Sequence, residues 1–191
     1  MSETLTQAPD GAVTQAGEGV YDLRYERRLA VPVAKVWAAL TEPERLSDWL
    51  ALATVDLRVG GTIELRWPEM GDANLGVIVE LDPPRLFTFT WSEPDGAPGS
   101  VVRWELSEDT GGGCRLVLTN TLLRPGALLD IGVGWHVILD DLPGAALRDH
   151  PRPWTTERIR HARARAATLV PRYRASLPRE AAQVEWVEWS A

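Results

Sequence analysis

One long amphipathic segment in the second half of the chain constrains the fold more than any other feature. Within Leu128–Leu147, apolar residues recur every three or four positions, which places them on one face of an α-helix. Pro125 suits the first turn of this helix, whereas Pro143 predicts a kink or a break. Asp130 and Asp141 fall on the opposite side, so we predict a helix that is buried on one face only. The apolar face consists of Leu128, Ile131, Trp135, Ile138, Leu139, Leu142 and Ala146.

Short strands separated by turn residues precede this helix. Turns at Gly60-Gly61 and Gly111–Gly113, together with short connections elsewhere, favour antiparallel neighbours. Two short helices, 32–40 and 44–50, follow the first strand. This order predicts an α+β fold in which a curved seven-stranded antiparallel sheet surrounds a long C-terminal helix. The predicted strands are 20–31, 54–59, 62–67, 75–81, 85–91, 101–106 and 115–122.

The two ends of the chain differ from this central unit. Residues 1–19 are small and polar, and we predict that they are disordered. Residues 20–147 form the predicted domain, and 148–191 form an extension with a second amphipathic helix over 155–175. Between residues 148 and 174 there are eight arginines, for which a solvated helix face is the favoured interpretation. The alternatives are docking of an anionic partner and docking on an acidic patch of the same protein. Residues 183–189 are interpreted either as an edge strand or as a docked extension.

Composition excludes several classes of function. The net charge of −7 argues against a general nucleic-acid-binding protein, because affinity for phosphates depends on basic charge. The single cysteine, Cys114, excludes an internal disulfide and suits a reducing compartment. No stretch approaches the roughly 20 apolar residues of a membrane span, and the first residues do not resemble a signal peptide. We therefore expect a soluble, cytoplasmic protein with no membrane insertion and no nucleic-acid partner.

Several motifs, in this order along the chain, resemble a known family. They are LAVPVAKVWAALTEPERLSDWL, VDLRVGGTIELRW, GVIVELDPPRLFTFTW, VVRWEL, CRLVLTNT and GWHVILDDL. The resemblance is to the bacterial homologues of the activator of heat-shock protein 90 ATPase, within the START-like SRPBCC superfamily, and covers about residues 20–147. It implies a helix-grip fold and a cavity between sheet and long helix that holds an apolar small molecule. It also implies a stress-related role. Only a short polar segment precedes the first strand, so we expect no separate chaperone-binding domain, which argues against a chaperone partner.

Aromatic residues concentrate on the face of the predicted strands that points towards the long helix. The apolar positions of 62–67, 85–91 and 101–106 belong to this inner face, and we assign Leu75, Val77, Val79 and Leu81 to it as well. We predict a pocket with Trp49 and Trp135 at its mouth or roof; the alternative is a solid core that the rings fill. The predicted ligand-binding residues are Trp49, Trp67, Phe89, Trp91, Trp104, Trp135, Ile138 and Leu139.

Candidates for catalysis are few. His136 and Asp140 are one helical turn apart, which suits either an acid/base pair or, as the favoured interpretation, a hydrogen bond that anchors the helix. Asp48 either lines the cavity entrance or, as we prefer, lies on the surface of the second short helix. The remaining histidines do not converge with His136, so we expect no metal site and no cofactor. Cys114 has no obvious base beside it.

These observations favour a binding protein over an enzyme. The first hypothesis is a helix-grip domain that holds an apolar or aromatic small molecule without covalent chemistry. The second is a cyclase or hydrolase that uses the same cavity, with His136, Asp140 or Asp48 as acid or base. The third is a protein-interaction module, either a chaperone partner or a homodimer formed through the sheet or the C-terminal extension.

Overall fold

The computed structural model describes residues 11–68, 71–91, 99–152 and 155–186. The strands are β1 (Ala12–Gly17), β2 (Val20–Leu29), β3 (Leu52–Val55), β4 (Thr62–Trp67), β5 (Asp72–Asp82), β6 (Leu86–Trp91), β7 (Ser100–Asp109) and β8 (Gly113–Leu123). The helices are α1 (Val33–Thr41), α2 (Pro43–Trp49), α3 (Pro125–Leu147), α4 (Thr156–Ser176) and α5 (Arg179–Ala182). The strands form one antiparallel sheet in the order β1-β2-β8-β7-β6-β5-β4-β3. The α+β fold and the long helix against the sheet are therefore confirmed.

The sheet has eight strands, so the predicted number of seven is wrong. The additional strand is β1, which pairs with β2 from Ala12 opposite Arg24 to Gly17 opposite Val20. It lies in the segment predicted to be disordered, so that prediction is wrong for Ala12–Gly17, while residues 1–10 lie outside the described residues. Because β1 is an edge strand with mostly exposed side chains, its stability depends on backbone pairing rather than on an apolar alternation.

The inner face of β5 differs from the prediction. Leu75, Val77 and Val79 are 59%, 43% and 43% exposed, whereas Asn74 and Ile78 are buried. A shift of one residue exchanges the two faces of a strand, so the prediction is wrong for these three side chains. An irregularity after Ile78 restores the predicted orientation at Leu81, which is opposite Phe87 and packs against the core.

Helix α3 is continuous and is buried on two faces. Pro143 lies inside the helix, which ends at Leu147, so the predicted break does not occur. The first face packs on the sheet as predicted, with Trp135 and Leu142 no more than 3% exposed. The second face includes Gly132, where a Cβ atom would lie 3.1 Å from the Tyr173 ring of α4. The prediction of one buried face is wrong because α4 packs against α3.

The C-terminal segment after α5 is described as far as Trp186. Residues 183–186 form no strand, and Trp186 packs against the core. Residues 187–189, the rest of the segment interpreted as an edge strand or a docked extension, lie outside the described residues. In the described ranges, every helix is too short or too polar to cross a lipid bilayer.

The carboxyl group of Asp130 is half-buried on α3. Its Oδ1 atom has no hydrogen-bond partner among the described residues, and burial raises the pKa of Asp130 to about 6. Because the folded-state pKa is above the unfolded value of 3.8, the group favours folding while it is protonated, and this contribution is lost as the pH rises through about 6. Ionised Asp130 therefore opposes folding near neutral pH.

We expect Asp130→Asn to raise the free energy of unfolding at pH 8 by about 1 kcal/mol, since the amide carries no charge to desolvate. At pH 4 the effect should be close to zero, because the folded-state carboxyl is then protonated. Urea titrations at both pH values measure the difference, with the exposed Glu108→Gln on β7 as the control. An equal gain at both pH values would contradict this explanation.

Candidate functional site

Five tryptophan rings form a continuous row between the sheet and α3. Each ring belongs to a different element: β4, β6, α3, β7 and α2. Ring centroids 4.5–7 Å apart are typical of interacting aromatic pairs, so neighbouring members of the row are in contact. The distances are 5.9 Å for Trp67–Trp91, 5.6 Å for Trp91–Trp135, 5.4 Å for Trp135–Trp104 and 6.1 Å for Trp104–Trp49.

The two ends of this tryptophan row differ in burial. Trp49, Trp104 and Trp135 are 1%, 2% and 3% exposed, and Trp104 meets the other two edge to face at 79° and 87°. At this deep end the rings fill the interior: Trp49 is buried on α2, and Trp135 covers the row from the helix side. At the other end Trp67 and Trp91 are half-buried. The accessible end of the row is therefore at Trp67 and Trp91.

Hydrogen bonds fix the orientation of three of these rings. The Trp67 Nε1 atom donates to the Leu50 carbonyl at 2.8 Å, and the Trp135 Nε1 atom donates to Asn120 Oδ1 at 3.0 Å. The Trp49 Nε1 atom donates to a carbonyl of α1 at 2.9 Å. A buried indole N–H needs such a partner, and the partner restricts rotation of the ring. The rings are thus held in place before any ligand arrives.

The other predicted ligand-binding residues lie around this row. Phe89 is 1% exposed, and its ring centroid is 6.4 Å from that of Trp91. Leu139 is buried on α3, and Ile138 is half-buried and packs against the core. The structure thus brings the eight predicted residues into one apolar region, in which Trp67, Trp91 and Ile138 are half-buried.

Asp48 is 2% exposed, so the preferred prediction of a surface position is wrong. Its carboxylate accepts hydrogen bonds from Arg148 Nε at 2.6 Å and from the Arg152 backbone N–H at 3.0 Å. Burial acts to raise the pKa of Asp48, but these bonds outweigh it and hold the pKa below its usual value. Asp48 is covered because the segment after α3 folds back over α2. The structure therefore gives it a role in joining the C-terminal helices to the domain.

Asp141 of α3 extends this ion-pair cluster. Arg152 and Arg158 lie 2.7 Å and 3.1 Å from its Oδ2 atom, and Arg158 also donates to the Asp48 carbonyl at 2.6 Å. The favoured interpretation of a solvated helix face is therefore wrong for Arg148, Arg152 and Arg158. The alternative, docking on acidic residues of the same protein, is confirmed for these three arginines. A cleft of about 110 Å³ adjoins the cluster. Its lining is mostly charged: Glu42, Glu44, Arg45, Asp48, Ala145, Arg148, Asp149 and Pro151.

His136 and Asp140 face α4 rather than the tryptophan row. The His136 Nε2 atom is 3.8 Å from the Asp140 carboxylate, but Nδ1 is 2.9 Å from the Tyr173 hydroxyl. That hydroxyl is also 2.7 Å from the Tyr25 hydroxyl of β2. This buried cluster joins α3 to α4 and to the sheet, which favours an anchoring role for His136, although its close partner is Tyr173 rather than Asp140.

Cys114 and the potential metal ligands offer no further catalytic group among the described residues. Burial raises the pKa of the Cys114 thiol to about 11, which suppresses the nucleophilic thiolate. No three potential metal ligands meet within the described residues.

A comparison with known protein families shows to which family this chain belongs. Residues 30–146 match the profile of the family described as activator of Hsp90 ATPase homolog 1-like protein, which is more than half of the 191 residues. The chain belongs to this family. A comparison with curated proteins found no match.

Solved structures share the fold of this member of the Hsp90 ATPase activator homologue family. The crystal structure of CalU16 from Micromonospora echinospora is 28% identical, with a TM-score of 0.64, and the match covers 86% of this chain and 97% of CalU16. The crystal structure of DynU16 is 21% identical, with a TM-score of 0.61 over 70% of this chain and 49% of DynU16. The Aha1 dimer from Colwellia psychrerythraea is 18% identical, with a TM-score of 0.58 over 65% of this chain and 95% of that protein. The family resemblance and the helix-grip fold predicted from the motifs are confirmed.

In this member of the activator homologue family, the sequence analysis missed three buried polar side chains on the inner face of the sheet. They are Asn74 on β5, Ser100 on β7 and Asn120 on β8. Asn120 holds Trp135, as described above. Asn120 lies within the predicted strand 115–122, whereas Asn74 and Ser100 directly precede the predicted strands 75–81 and 101–106. Alternation alone does not separate an inner polar position from an outer one.

Proposed function

We propose that this protein binds an aromatic or apolar small molecule at the Trp67–Trp91 end of the tryptophan row. The observation that carries the proposal is the uneven burial of the row, in which rings that are fully packed at one end continue into half-buried rings at the other. An incoming ring can stack on Trp91 without displacing the buried core. Pockets for small molecules are mostly apolar, with a few fixed polar groups, and the region around these two rings has that composition.

The alternative of a cyclase or hydrolase has less support. Among the described residues, the three acid/base candidates lie elsewhere: His136 and Asp140 face α4, and Asp48 is bound by two arginines. DynU16 is described as a putative protein in the dynemicin biosynthetic locus. At 21% identity that likeness concerns the fold, so the proposal rests on the row itself.

A direct test uses naphthalene as the probe and follows the indole N–H signals of the nine tryptophans by NMR. We expect shifts centred on Trp67 and Trp91. Trp91→Ala should raise the Kd for naphthalene about tenfold, which corresponds to the loss of one stacked ring. Trp37→Ala is the matched control, because Trp37 is also half-buried but contacts Phe87 outside the row. Shifts that centre on Trp37, or equal losses in both variants, would overturn the proposal.

Native mass spectrometry of freshly purified protein gives a second test, with a denatured sample as the control. A bound mass that disappears on denaturation is the expected result. A protein that is dimeric and carries no bound mass would instead favour the interaction hypothesis, for which the exposed stripe of Leu75, Val77 and Val79 on the outer face of β5 offers a surface.

A further inference from the structure

Two polar side chains on the inner face of the sheet are buried and have no hydrogen-bond partner among the described residues. Asn74 is 3% exposed and Ser100 is 1% exposed. The Oδ1 and Nδ2 atoms of Asn74 and the Oγ atom of Ser100 make no hydrogen bond to the described parts of the chain. Leaving such atoms unpaired costs free energy, and native proteins rarely contain them without a reason. A bound molecule that supplies the missing partners is one such reason.

Both side chains adjoin the accessible end of the tryptophan row. Asn74 is opposite Leu65 on β4, two residues from Trp67, and Ser100 is directly opposite Trp91 on β6. Because β6 lies between β5 and β7, the two polar side chains belong to the strands on either side of Trp91. Ser100 is level with Trp91, whereas Asn74 lies two residues further along β5 than Gly76, the position that the pairing of Ile78 with Phe89 places beside Trp91. Two strand spacings and an offset of two residues along the strand separate them by roughly 12 Å. One molecule with a fused ring system can therefore stack on Trp91 and reach both.

These polar groups are uncharged. An asparagine amide and a serine hydroxyl each donate and accept hydrogen bonds, so they suit hydroxyl, carbonyl and amide groups. Two ion pairs of the described side chains lie on the outer face of these strands, Arg66 with Glu64 and Arg103 with Glu80. A carboxylate or ammonium group placed beside Asn74 would lose its hydration without a counter-charge from those residues.

We propose that the ligand is a neutral aromatic molecule with hydroxyl, carbonyl or amide substituents, and that Asn74 and Ser100 bind these substituents while Trp67 and Trp91 contact the ring. This inference rests on the proposed function and adds the polarity and the charge of the ligand. A site for a pure hydrocarbon would differ, because such a ligand would leave both side chains unpaired. A site for a fatty acid or another organic anion would differ as well, because the inferred ligand carries no charge.

The experiment compares three probes with the same rings: naphthalene, 2-naphthol and 2-naphthoate. Their affinities are measured by NMR titration of the full chain at pH 7. We expect 2-naphthol to bind about tenfold more tightly than naphthalene, which is the effect of one hydrogen bond to a group that is otherwise unpaired. The 2-naphthoate anion should bind more weakly than naphthalene.

Variants of Asn74 and Ser100 show which side chain is responsible for the preference for 2-naphthol over naphthalene. One of the two variants, Asn74→Leu or Ser100→Ala, should reduce the advantage of 2-naphthol to less than twofold, because its single hydroxyl reaches only one of the two side chains, while the Kd for naphthalene stays the same. Both variants should melt at or above the wild-type temperature, because each removes a buried unpaired group. Thr88→Val is the matched control: it removes a buried hydroxyl that is paired with Glu80 on the outer face. We expect it to leave the ranking of the probes unchanged.

The outcomes separate this inference from the proposed function. If naphthalene shifts Trp67 and Trp91 but 2-naphthol binds no better, or 2-naphthoate binds best, the inference is overturned and the proposed function stands. If none of the three probes shifts these signals, both are overturned. The ranking in the wild-type protein decides between these outcomes even if a variant does not fold.

Discussion

Replacing Asp48 by asparagine is expected to lower the free energy of unfolding by about 3 kcal/mol, because it leaves the buried end of an ion-pair cluster without its charge. Asp48 is 2% exposed and is the acceptor for Arg148 and Arg152. These contacts attach the segment after α3 to α2, so their loss should also expose the arginine-rich helix α4. Denaturant titration measures the first effect, and the rate of tryptic cleavage within 148–174 measures the second.

The matched control is Asp56→Asn. Asp56 also pairs with an arginine, Arg58, but the two side chains are 50% and 68% exposed. Exposed pairs contribute from zero to about 1 kcal/mol, so this substitution should change stability little and leave tryptic cleavage unchanged. A similar loss in both variants would mean that the Asp48 cluster is no more than a surface ion pair.

The pH dependence of the Asp48 contribution has a definite sign. The bonds from the arginines hold the folded-state pKa below the ordinary value of 3.8. A carboxyl whose pKa is lowered on folding contributes its full stability above the unfolded value and loses it as the pH falls through the folded value. The difference in stability between wild type and Asp48→Asn should therefore be constant above pH 5 and should shrink in more acidic solution.

Periodic burial is the reason that so much of the fold could be predicted. Strand β4 was predicted over 62–67 and is observed over Thr62–Trp67, because Ile63 and Leu65 point inward between exposed neighbours. The same rule found α3 from one stripe of apolar residues. It did not find β1, whose side chains are mostly exposed, and it assigned the wrong face to β5.

The error on β5 has a tertiary cause. At Gly76 a Cβ atom would lie 2.1 Å from the Thr90 carbonyl oxygen, so the inner face has no room for a side chain at that position. The apolar residues Leu75 and Val77 consequently lie outside. Nothing in the local sequence of β5 records how closely β6 approaches, and the alternation alone is the same for either face.

The candidate site was predictable in its residue types but not in its arrangement. The tryptophans were identifiable from their number and their alternation, whereas their unequal burial depends on which elements cover each ring. The role of Asp48 was not predictable, because its partners Arg148 and Arg152 are 100 and 104 residues away in the chain. Asn74 and Ser100 differ from ordinary outer positions only by burial, which the sequence does not show.

Trp104→Ala is expected to have the largest effect on stability, a loss of about 4 kcal/mol in the free energy of unfolding. Trp104 is 2% exposed and contacts Trp49 and Trp135 edge to face, so its removal leaves a cavity that these two fixed rings cannot fill. Trp91→Ala is the control from the accessible end of the row, and we expect it to cost less than half as much. Denaturant titrations of both variants provide the measurement.

The size of this loss also distinguishes a packed interior from an open one. If the rings fill the deep end of the row, a new cavity forms in Trp104→Ala, and a free indole should enter it and raise the melting temperature of the variant but not that of the wild type. If the deep end already contained a ligand cavity, truncation would enlarge a space that exists, the loss would be nearer to that of Trp91→Ala, and indole would stabilise both proteins. In that case ligands would reach Trp104 itself, and the binding site would extend along the whole row instead of ending at Trp67 and Trp91.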